Sequence, residues 1–442
     1  MPDSSQLVIG ADPAGQPIAQ AMRLANRHGL VAGATGTGKT VTLQRLAETF
    51  SDAGVAVFAA DIKGDLCGLG AAGNPQGKVA ERIAGMSWLG HKPQAYPVEL
   101  LTLTASKPGV RLRATVSEFG PVLLSKILGL NDTQGGIVAI IFKYCDDNKL
   151  PLLDLKDFIK VLQYVTQEGK TEIEKAYGKI STTSTGTILR KVIELQQQGA
   201  DDFFGERSFE VDDLMRIADD GRGVISILRV TELQDRPKMF STFMLQLLAE
   251  LYATAPEESD LDKPKLVIFI DEAHLIFDEA SKVLLDQIET VIKLIRSKGI
   301  GVFFCTQNPM DVPPSVLGQL GMKVQHALRA FTAVDRKAIK QAAENYPETE
   351  FYKTEDLLTQ LGIGEALVTT LNEKGIPTPL VHVMIVPPRS RMDILSEGEV
   401  VDLTNKSKLV QKYNQVVDNE SAHEILTKKI ELAEQRTQRR KE

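Results

Sequence analysis

A glycine-rich stretch that ends in lysine and threonine lies near the start of the chain, Gly33-Ala-Thr-Gly-Thr-Gly-Lys39-Thr40. This is the pattern GxxxxGK[ST], in which glycines let successive backbone N–H groups curl round a β-phosphate. The lysine of the pattern reaches the β- and γ-phosphates, and the hydroxyl after it binds Mg²⁺. The pattern therefore predicts a site for ATP with Mg²⁺. The predicted nucleotide-binding residues are Gly33, Ala34, Thr35, Gly36, Thr37, Gly38, Lys39, Thr40 and Val41.

Two carboxylates follow the apolar run Leu266–Ile270, namely Asp271 and Glu272. A buried parallel strand delivers side chains to its carboxyl-terminal edge in this way. We expect Asp271, together with Thr40, to hold Mg²⁺, and Glu272 to polarise the water that attacks the γ-phosphate. The two motifs together predict hydrolysis of the nucleotide.

Three further groups stand where chemistry is possible. Gln307 closes the strand Gly301–Thr306, where it would either sense the γ-phosphate or be a hydrogen-bonded edge residue. Arg296 lies near the end of a long helix, and its simplest role is compensation of the helix dipole. The segment Asp61–Asp65 follows another strand, where it would contact a Mg²⁺-bound water, shape the pocket rim or form a turn.

The elements around these residues follow from apolar spacing. A strand at 30–32, a helix at 41–50 and a strand at 55–60 give the strand–loop–helix–strand start of a parallel α/β sheet. Apolar residues recur every three to four positions through 121–218, which predicts a mostly helical insertion. A long helix is predicted over about 279–297. Later strands are predicted at 223–228, 266–270, 302–305, 322–328, 366–370 and 381–386.

The chain is therefore predicted to be one α/β fold with a central parallel sheet. Its first part is residues 1–120, the helical insertion is 121–218, and the second part is 219–400. A charged helical tail occupies 401–442. The tail would either clasp a neighbouring subunit or fold back on its own domain.

Composition limits the function classes. The chain has 442 residues, of which 43% are hydrophobic and 25% charged, as in ordinary globular proteins. This composition excludes disordered and fibrous proteins. The cysteines, Cys67, Cys145 and Cys305, are odd in number and widely spaced, which suits a reducing compartment such as the cytoplasm. No apolar run approaches the ~18–20 residues that cross a bilayer, so we expect no membrane contact. The net charge of −7 excludes a protein that coats nucleic acid with its whole surface, so any such contact must be local.

Asp271-Glu-Ala-His274 with this P-loop resembles the DEAH helicases of superfamily 2. Those proteins hold the two motifs much closer together and continue with an SAT motif and a second RecA-like domain. Neither feature is found in this sequence, so the resemblance is rejected.

A broader resemblance is to the HerA–FtsK superfamily of ring motors, and within it to the YjgR-type HerA-like ATPases. The segments that carry it are 27–44, 60–69, 198–206, 270–277, 305–313 and 386–392. The resemblance implies a RecA-like P-loop core of the ASCE class, a homo-oligomeric ring (most simply a hexamer), and translocation of double-stranded DNA. It also implies that Arg296 is an arginine finger acting in trans, eleven positions before the sensor Gln307. The segment before the P-loop is too short for the β-barrel of HerA itself, so a nuclease partner is left open.

One alternative comes from another functional class. An ATP-dependent oligomeric switch, or a polypeptide-handling ATPase that does not act on DNA, would agree with the acidic pI of about 5.6. A solitary nucleotide-binding regulator is disfavoured, because Glu272 and Arg296 would then have no role. Stimulation of ATP hydrolysis by double-stranded DNA separates the motor from the switch.

Overall fold

The computed structural model describes residues 5–231, 237–257, 261–277, 282–330, 332–347 and 352–439. Within these residues twelve strands form a single sheet. The strands are β1 (Gln6–Ala11), β2 (Pro17–Ala21), β3 (Gly29–Ala32), β4 (Ala56–Asp61), β5 (Val98–Thr102), β6 (Val110–Arg111), β7 (Ile225–Arg229), β8 (Leu266–Ile270), β9 (Ile300–Thr306), β10 (Met322–His326), β11 (Glu365–Thr369) and β12 (Val381–Ile385).

The spatial order of the strands is β2-β1-β12-β11-β10-β3-β9-β8-β4-β7-β5-β6. All pairs from β10 to β6 are parallel, which confirms the predicted parallel centre. The pairs from β10 out to β2 are antiparallel; the sequence predicted strands at β10, β11 and β12 but not this antiparallel pairing. At its outer end β1 and β2 form a hairpin, closed by a turn in which Asp12 Oδ1 accepts the amides of Ala14 and Gln16 at 2.9 and 2.8 Å.

Four neighbouring strands position the predicted motifs. The registers Ala32↔Thr306, Ile270↔Phe304 and Ala60↔Ile270 show that β3, β9, β8 and β4 end side by side. We call this the carboxyl edge, and the side where β3, β9 and β10 begin the amino edge. The strand β9 lies between the P-loop strand β3 and the acidic strand β8.

Helices cover both faces of the sheet. The helices are α1 (Lys39–Asp52), α2 (Gly77–Gly85), α3 (Val116–Ile127), α4 (Asp132–Asn148), α5 (Leu155–Tyr164), α6 (Lys170–Tyr177), α7 (Thr182–Gln197), α8 (Pro237–Thr254), α9 (His274–Phe277), α10 (Lys282–Ile295), α11 (Pro314–Leu317), α12 (Ala333–Glu344), α13 (Thr354–Gln360), α14 (Glu397–Lys406), α15 (Lys408–Tyr413) and α16 (Ala422–Arg439). Helices α4–α7 lie within the predicted insertion and α15 and α16 within the predicted tail, whereas α3 and α14 begin a few residues before those segments. The exact division of the chain at 120, 218 and 400 stays a prediction. In the described ranges no helix is long and apolar enough to span a bilayer.

Aromatic packing fixes the P-loop helix to the sheet. The Phe50 ring of α1 lies 5.8 Å from Phe303 of β9 and 6.2 Å from Phe269 of β8, and all three side chains are fully buried. On the opposite face Phe58 of β4 contacts Phe243 of α8 at 6.3 Å. Burial of one such ring contributes about 3–5 kcal/mol, measured as the cost of truncation to alanine. The sheet is thereby packed on both faces, as a parallel sheet requires.

The tail folds back on the chain's own insertion. Tyr413 of α15 is fully buried, and Lys412 forms a 2.8 Å ion pair with Asp213. At the start of α16 the His423 amide donates to Asp157 of α5 at 2.8 Å. Of the two predicted placements of the tail, this is the one in which it packs on its own domain.

Candidate nucleotide-binding site

The P-loop, residues 33–38, joins β3 to α1 at the carboxyl edge. Gly36 and Gly38 have φ angles of 76° and 119°, which side chains disfavour, so the loop needs glycine at both positions. The Lys39 ammonium lies across the loop and donates to the carbonyls of Gly33 at 2.7 Å and Ala34 at 3.3 Å. The loop is therefore closed around its own lysine, ready to exchange those carbonyls for phosphate oxygens.

The charge state of Lys39 reflects its surroundings. Burial lowers the pKa of the Lys39 ammonium, and the ammonium of Lys63 lowers it further. The carboxylates of Glu272 and Asp271 act in the opposite direction and raise that pKa. Lys39 thus lies within electrostatic range of the acidic pair, and the strand order β3-β9-β8 places the two predicted motifs at the same edge of the sheet.

A loop from far along the chain supports the P-loop. The Gly364 amide donates to the Thr37 carbonyl at 2.9 Å, and the Thr37 hydroxyl donates to Ala34 at 2.7 Å. The Arg82 guanidinium holds this second loop by donating to the carbonyl of Ile363 at 3.0 Å. No sequence signal linked Gly364 or Arg82 to the P-loop, because the contacts depend on the antiparallel strand β11.

His326 at the end of β10 is a buried support that sequence reasoning missed. Its Nδ1–H donates to the Glu365 carbonyl at 2.9 Å, and its Nε2 accepts from the Thr42 hydroxyl of α1 at 2.8 Å. Burial lowers the pKa of His326 to about 4, so the imidazole is neutral near pH 7. It ties the first turn of the P-loop helix to the sheet.

The two acidic residues follow β8 directly, as predicted, and both are 5% exposed. The Glu272 backbone has φ 46°, a left-handed conformation that costs a non-glycine residue of the order of 1 kcal/mol or more. The amides on either side are fixed, since Asp271 donates to Ala60 at 3.3 Å and Ala273 donates to Cys305 at 2.9 Å. The hydrogen bonds of the flanking amides therefore hold the backbone of the predicted base in this strained conformation.

The carboxylate of Glu272 lies between two basic side chains. The Lys63 ammonium forms an ion pair with Oε1, and His274 Nδ1 lies 3.3 Å from Oε2. Burial disfavours the charged form of Glu272, but Lys63, His274 and Lys39 outweigh it and lower the pKa of this carboxyl group. Glu272 is therefore an anion held by cations.

The pKa of Asp271 is shifted in the opposite direction from that of Glu272. Burial, and then the charge of Glu272, raise the pKa of the Asp271 carboxyl group. Two adjacent buried carboxylates favour a cation beside them, and Thr40 on the first turn of α1 adds a hydroxyl oxygen. Carboxylate and hydroxyl oxygens are the ligands that Mg²⁺ prefers, so these residues fit that ion.

The segment Asp61–Asp65 forms a turn that presents Lys63. Asp61 Oδ1 accepts the amides of Gly64 and Asp65 at 2.8 and 3.2 Å, and Oδ2 accepts the Leu66 amide at 2.9 Å. Burial raises the pKa of Asp61 to about 7 against the effect of these bonds. The turn also shapes the site, since Lys63 contacts the predicted base.

Gln307 is exposed at the end of β9, on the same edge as the P-loop. The neighbouring Gly33 amide donates to the Thr306 carbonyl at 3.2 Å, which places the two loops side by side. Across the described ranges the Gln307 side chain forms no hydrogen bond with the protein. Of the two predicted roles, that of a hydrogen-bonded edge residue has no support in this geometry.

Arg296 lies apart from all the other predicted site residues. It follows α10 and precedes β9, at the amino edge, whereas the P-loop, Asp271, Glu272 and Gln307 lie at the carboxyl edge. The seven residues of β9 separate the two edges by about 20 Å. Arg296 therefore cannot reach a nucleotide held by its own P-loop.

Other cations gather beside Arg296. A cavity of about 460 Å³ at the amino edge is lined by Arg27, Lys293, Arg296 and Lys323, and no Asp or Glu among the described residues lines it. Burial, and then the charge of Arg27, lower the pKa of the Arg296 guanidinium. We call this space the basic cavity. Its lining is suited to an anion.

The chain is similar in sequence to proteins described as helicases or helicase-like. The model of the family described as "Helicase HerA-like C-terminal" matches residues 6–442. A probable helicase of Methanocaldococcus jannaschii is 32% identical over 154 residues. That alignment covers 33% of this chain and 28% of the relative, so the chain matches less than a third of that protein's length.

Solved structures show the same fold at low identity. The plasmid coupling protein TrwB in complex with a non-hydrolysable GTP analogue is 14% identical, with a TM-score of 0.58, covering 89% of this chain and 93% of TrwB. TrwB with ADP and Mg²⁺ gives a TM-score of 0.56 at 14% identity, with the same coverage. VirB4 of Thermoanaerobacter pseudethanolicus is 17% identical, with a TM-score of 0.52, covering 87% of this chain and 97% of VirB4.

Proposed function

The chain belongs to the helicase HerA-like C-terminal family, and on that basis we propose that it is an ATPase that forms a homo-oligomeric ring, most simply a hexamer, and translocates double-stranded DNA. The observation that carries the proposal is the division of the predicted site between two edges of one sheet. The phosphate-binding loop and the acids lie at the carboxyl edge, and the basic cavity lies at the amino edge. Only a second copy can bring the two together.

The chemistry assigned to the carboxyl edge is hydrolysis of ATP to ADP and phosphate. The P-loop amides and Lys39 bind the phosphates. The plasmid coupling protein TrwB, which has a similar fold, has been solved with a non-hydrolysable ATP analogue and with ADP and Mg²⁺. Thr40 and Asp271 would hold Mg²⁺, which neutralises charge on the β- and γ-phosphates. Glu272 accepts a proton from water as the water oxygen bonds to the γ-phosphorus and the bond to the β-phosphate oxygen breaks. Gln307 is the proposed γ-phosphate sensor.

The role assigned to the amino edge is stabilisation of the same reaction in a neighbouring copy. Arg296 is the proposed arginine finger, and Arg27 is the cation next to it in the basic cavity. An arginine finger stabilises the charge that develops on the transferring phosphoryl group, which accounts for about 10³-fold or more in rate. The basic cavity has four cations and, in the part of the chain that the structure describes, no carboxylate in its lining, which favours such an anion.

Subunit mixing tests the proposal. Glu272→Gln removes the base and Arg296→Gln removes the finger, so each variant alone should hydrolyse ATP at least about 10³-fold more slowly than wild type. In a ring of both variants mixed equally, about a quarter of the interfaces join an intact base to an intact finger. ATP turnover of the mixture should therefore recover well above that of either variant.

The matched control is Arg336→Gln, which removes an exposed arginine of α12. Alone it should hydrolyse ATP at the wild-type rate, and mixed equally with Arg296→Gln it should leave about half of the interfaces active, as wild type would. If exchanged rings of the two test variants stay inactive, the assignment of Arg296 in trans is wrong.

The DNA substrate is tested separately. A chain of net charge −7 can bind DNA only through a local basic lining, so stimulation of ATPase by double-stranded DNA should fall steeply with salt. A flat response at low salt in an assembled ring would favour the alternative of a switch or polypeptide-handling ATPase.

All three cysteines are buried and free, which agrees with the proposed cytoplasmic location.

A further inference from the structure

Each carboxylate oxygen of the predicted base Glu272 lies beside a basic side chain in this structure. Lys63 contacts one carboxylate oxygen and His274 Nδ1 lies 3.3 Å from the other, while the Glu272 side chain is only 6% exposed. A general base must accept a hydrogen bond from the attacking water at about 2.6–3.2 Å. With the Lys63 ammonium at Oε1 and the His274 imidazole at Oε2, the carboxylate has little room for the attacking water. We call this arrangement the resting state.

We propose that Lys63 is a positioning residue that changes partner with the nucleotide. It pairs with Glu272 while the P-loop is empty, and it moves to the γ-phosphate oxygens when ATP binds. Glu272 is then free to accept the proton of the attacking water. This inference rests on the proposed ATPase function. It means that Glu272 becomes available as a base only when a γ-phosphate is bound.

The geometry allows this exchange with a side-chain movement alone. Three amide hydrogen bonds to the buried Asp61 fix the backbone of the turn, so the Lys63 Cα stays in place. The Lys63 side chain is 30% exposed, far more than that of Glu272, and its four-carbon stem is flexible. A lysine on a rigid turn with a mobile ammonium can change its partner without unfolding the site.

The destination lies within electrostatic range. Lys39, the residue expected to reach the β- and γ-phosphates, is close enough to Lys63 for the second ammonium to lower the pKa of the first. Asp271, the proposed magnesium ligand, interacts with Lys63 as well. A triphosphate bound between these groups brings several negative charges, and it would therefore compete with the single charge of Glu272 for the Lys63 ammonium.

Nucleotide binding tests the movement. Affinities for ATP and ADP are measured in the Glu272→Gln background, where ATP is not consumed. There Lys63→Met should weaken ATP binding about 10-fold, the effect of losing one charge-assisted hydrogen bond, and change ADP binding less than about two-fold. Lys63→Arg should restore most of the preference for ATP. The control Lys107→Met removes an exposed lysine on the β5–β6 loop and should change neither affinity.

Equal weakening of ATP and ADP, or weakening of neither, would overturn the movement of Lys63 to the γ-phosphate. The proposed ATPase function fails independently of this result, if wild-type rings do not hydrolyse ATP.

Thermal unfolding tests the resting pair without any turnover. In nucleotide-free protein, Lys63→Met should lower the unfolding temperature, because it leaves the buried Glu272 charge without its partner. It should lower that temperature much less when Glu272→Gln is already present. Saturation with a non-hydrolysable ATP analogue should remove most of the coupling between the two substitutions. A coupling that is absent without nucleotide, or unchanged with it, contradicts the exchange.

Discussion

The two edges of the central sheet use charge in opposite ways. At the carboxyl edge, Lys39 and Lys63 lie among Asp271 and Glu272, so that each charge has an opposite charge nearby. At the amino edge, the basic cavity gathers four cations and, among the described residues, has no carboxylate in its lining. The charges at the carboxyl edge are neutralised within the chain. The positive charges at the amino edge are neutralised only when an anion from outside the chain binds there.

This difference assigns the two halves of a catalytic site to different copies. Like charges brought together raise the cost of keeping them charged, and after burial the charge of Arg27 is the second cause that lowers the pKa of Arg296. A bound phosphate anion would remove that cost. The comparison therefore predicts that substitutions at the carboxyl edge act on the chain's own nucleotide, and substitutions at the amino edge act on a neighbour's nucleotide.

The largest effect is expected at the carboxyl edge, from Glu272→Gln. Loss of a general base reduces rate by about 10²–10⁴-fold, so turnover should fall by about 10³-fold, or about 4 kcal/mol in activation free energy. Nucleotide affinity should be retained, because the P-loop and Lys39 are unchanged. Steady-state turnover and equilibrium binding of ATP are the measurements. If Glu272→Gln loses ATP binding as well, Glu272 is structural and the carboxyl edge is not the reacting edge.

The sequence predicted the carboxyl edge better than the amino edge for a physical reason. A P-loop and a strand that ends in two acids are local patterns, and parallel strands align their ends without further information. Arg296 lacks such a pattern: its spacing from Gln307 became informative only through the resemblance to ring ATPases. Its position at the start of β9 follows from chain order, but a role toward a second copy depends on how subunits assemble, which one chain does not encode locally.

The contacts that were missed join distant parts of the chain. Lys63 meets Glu272 because β4 and β8 pair, and His326 meets Thr42 because β10 pairs with β3. The antiparallel extension was missed for the same reason, since β1 near the start of the chain pairs with β12 near its end. Hydrophobic periodicity identifies such strands but does not state which neighbours they take.

A second prediction compares one buried histidine at each edge. His326 supports the P-loop helix at the carboxyl edge, and His28 lies at the amino edge, where its Nδ1 accepts from Val302 at 3.0 Å and its Nε2–H donates to Ile292 at 2.9 Å. Burial lowers the pKa of each to about 4, against 6.5 for an ordinary histidine. The unfolded chain therefore takes up two protons below pH 6.5 that the folded chain refuses until about pH 4.

Each histidine should consequently destabilise the fold by about 3 kcal/mol as pH falls from 7.5 to 4. His28→Gln and His326→Gln will lower stability at pH 7.5, since packing is lost, but each should flatten the acid dependence of the unfolding free energy. Unfolding by urea at several pH values measures the slope. A slope equal to that of wild type in either variant would show that the histidine is already protonated in the fold, and that its edge is wetter than the structure indicates.

The smallest effect is expected from Arg27→Gln at the amino edge, and it bears most directly on the comparison. Arg27 lines the basic cavity beside Arg296 but lies before β3, so within its own chain the length of that strand separates it from the P-loop. Loss of one of two cations that face a neighbour's phosphates should slow turnover about 10-fold, less than the loss of the finger itself. The effect should appear in kcat of the assembled ring, and mixing with Glu272→Gln should partly reverse it, as for Arg296→Gln. Arg23 and Arg27 lie on the same short 3-10 helix, Met22–Arg27, and Arg23 is exposed, so Arg23→Gln is the matched control and should leave turnover unchanged. If Arg27→Gln slows a ring that mixing cannot rescue, Arg27 acts within its own subunit, and the basic cavity is not the receiving half of the site.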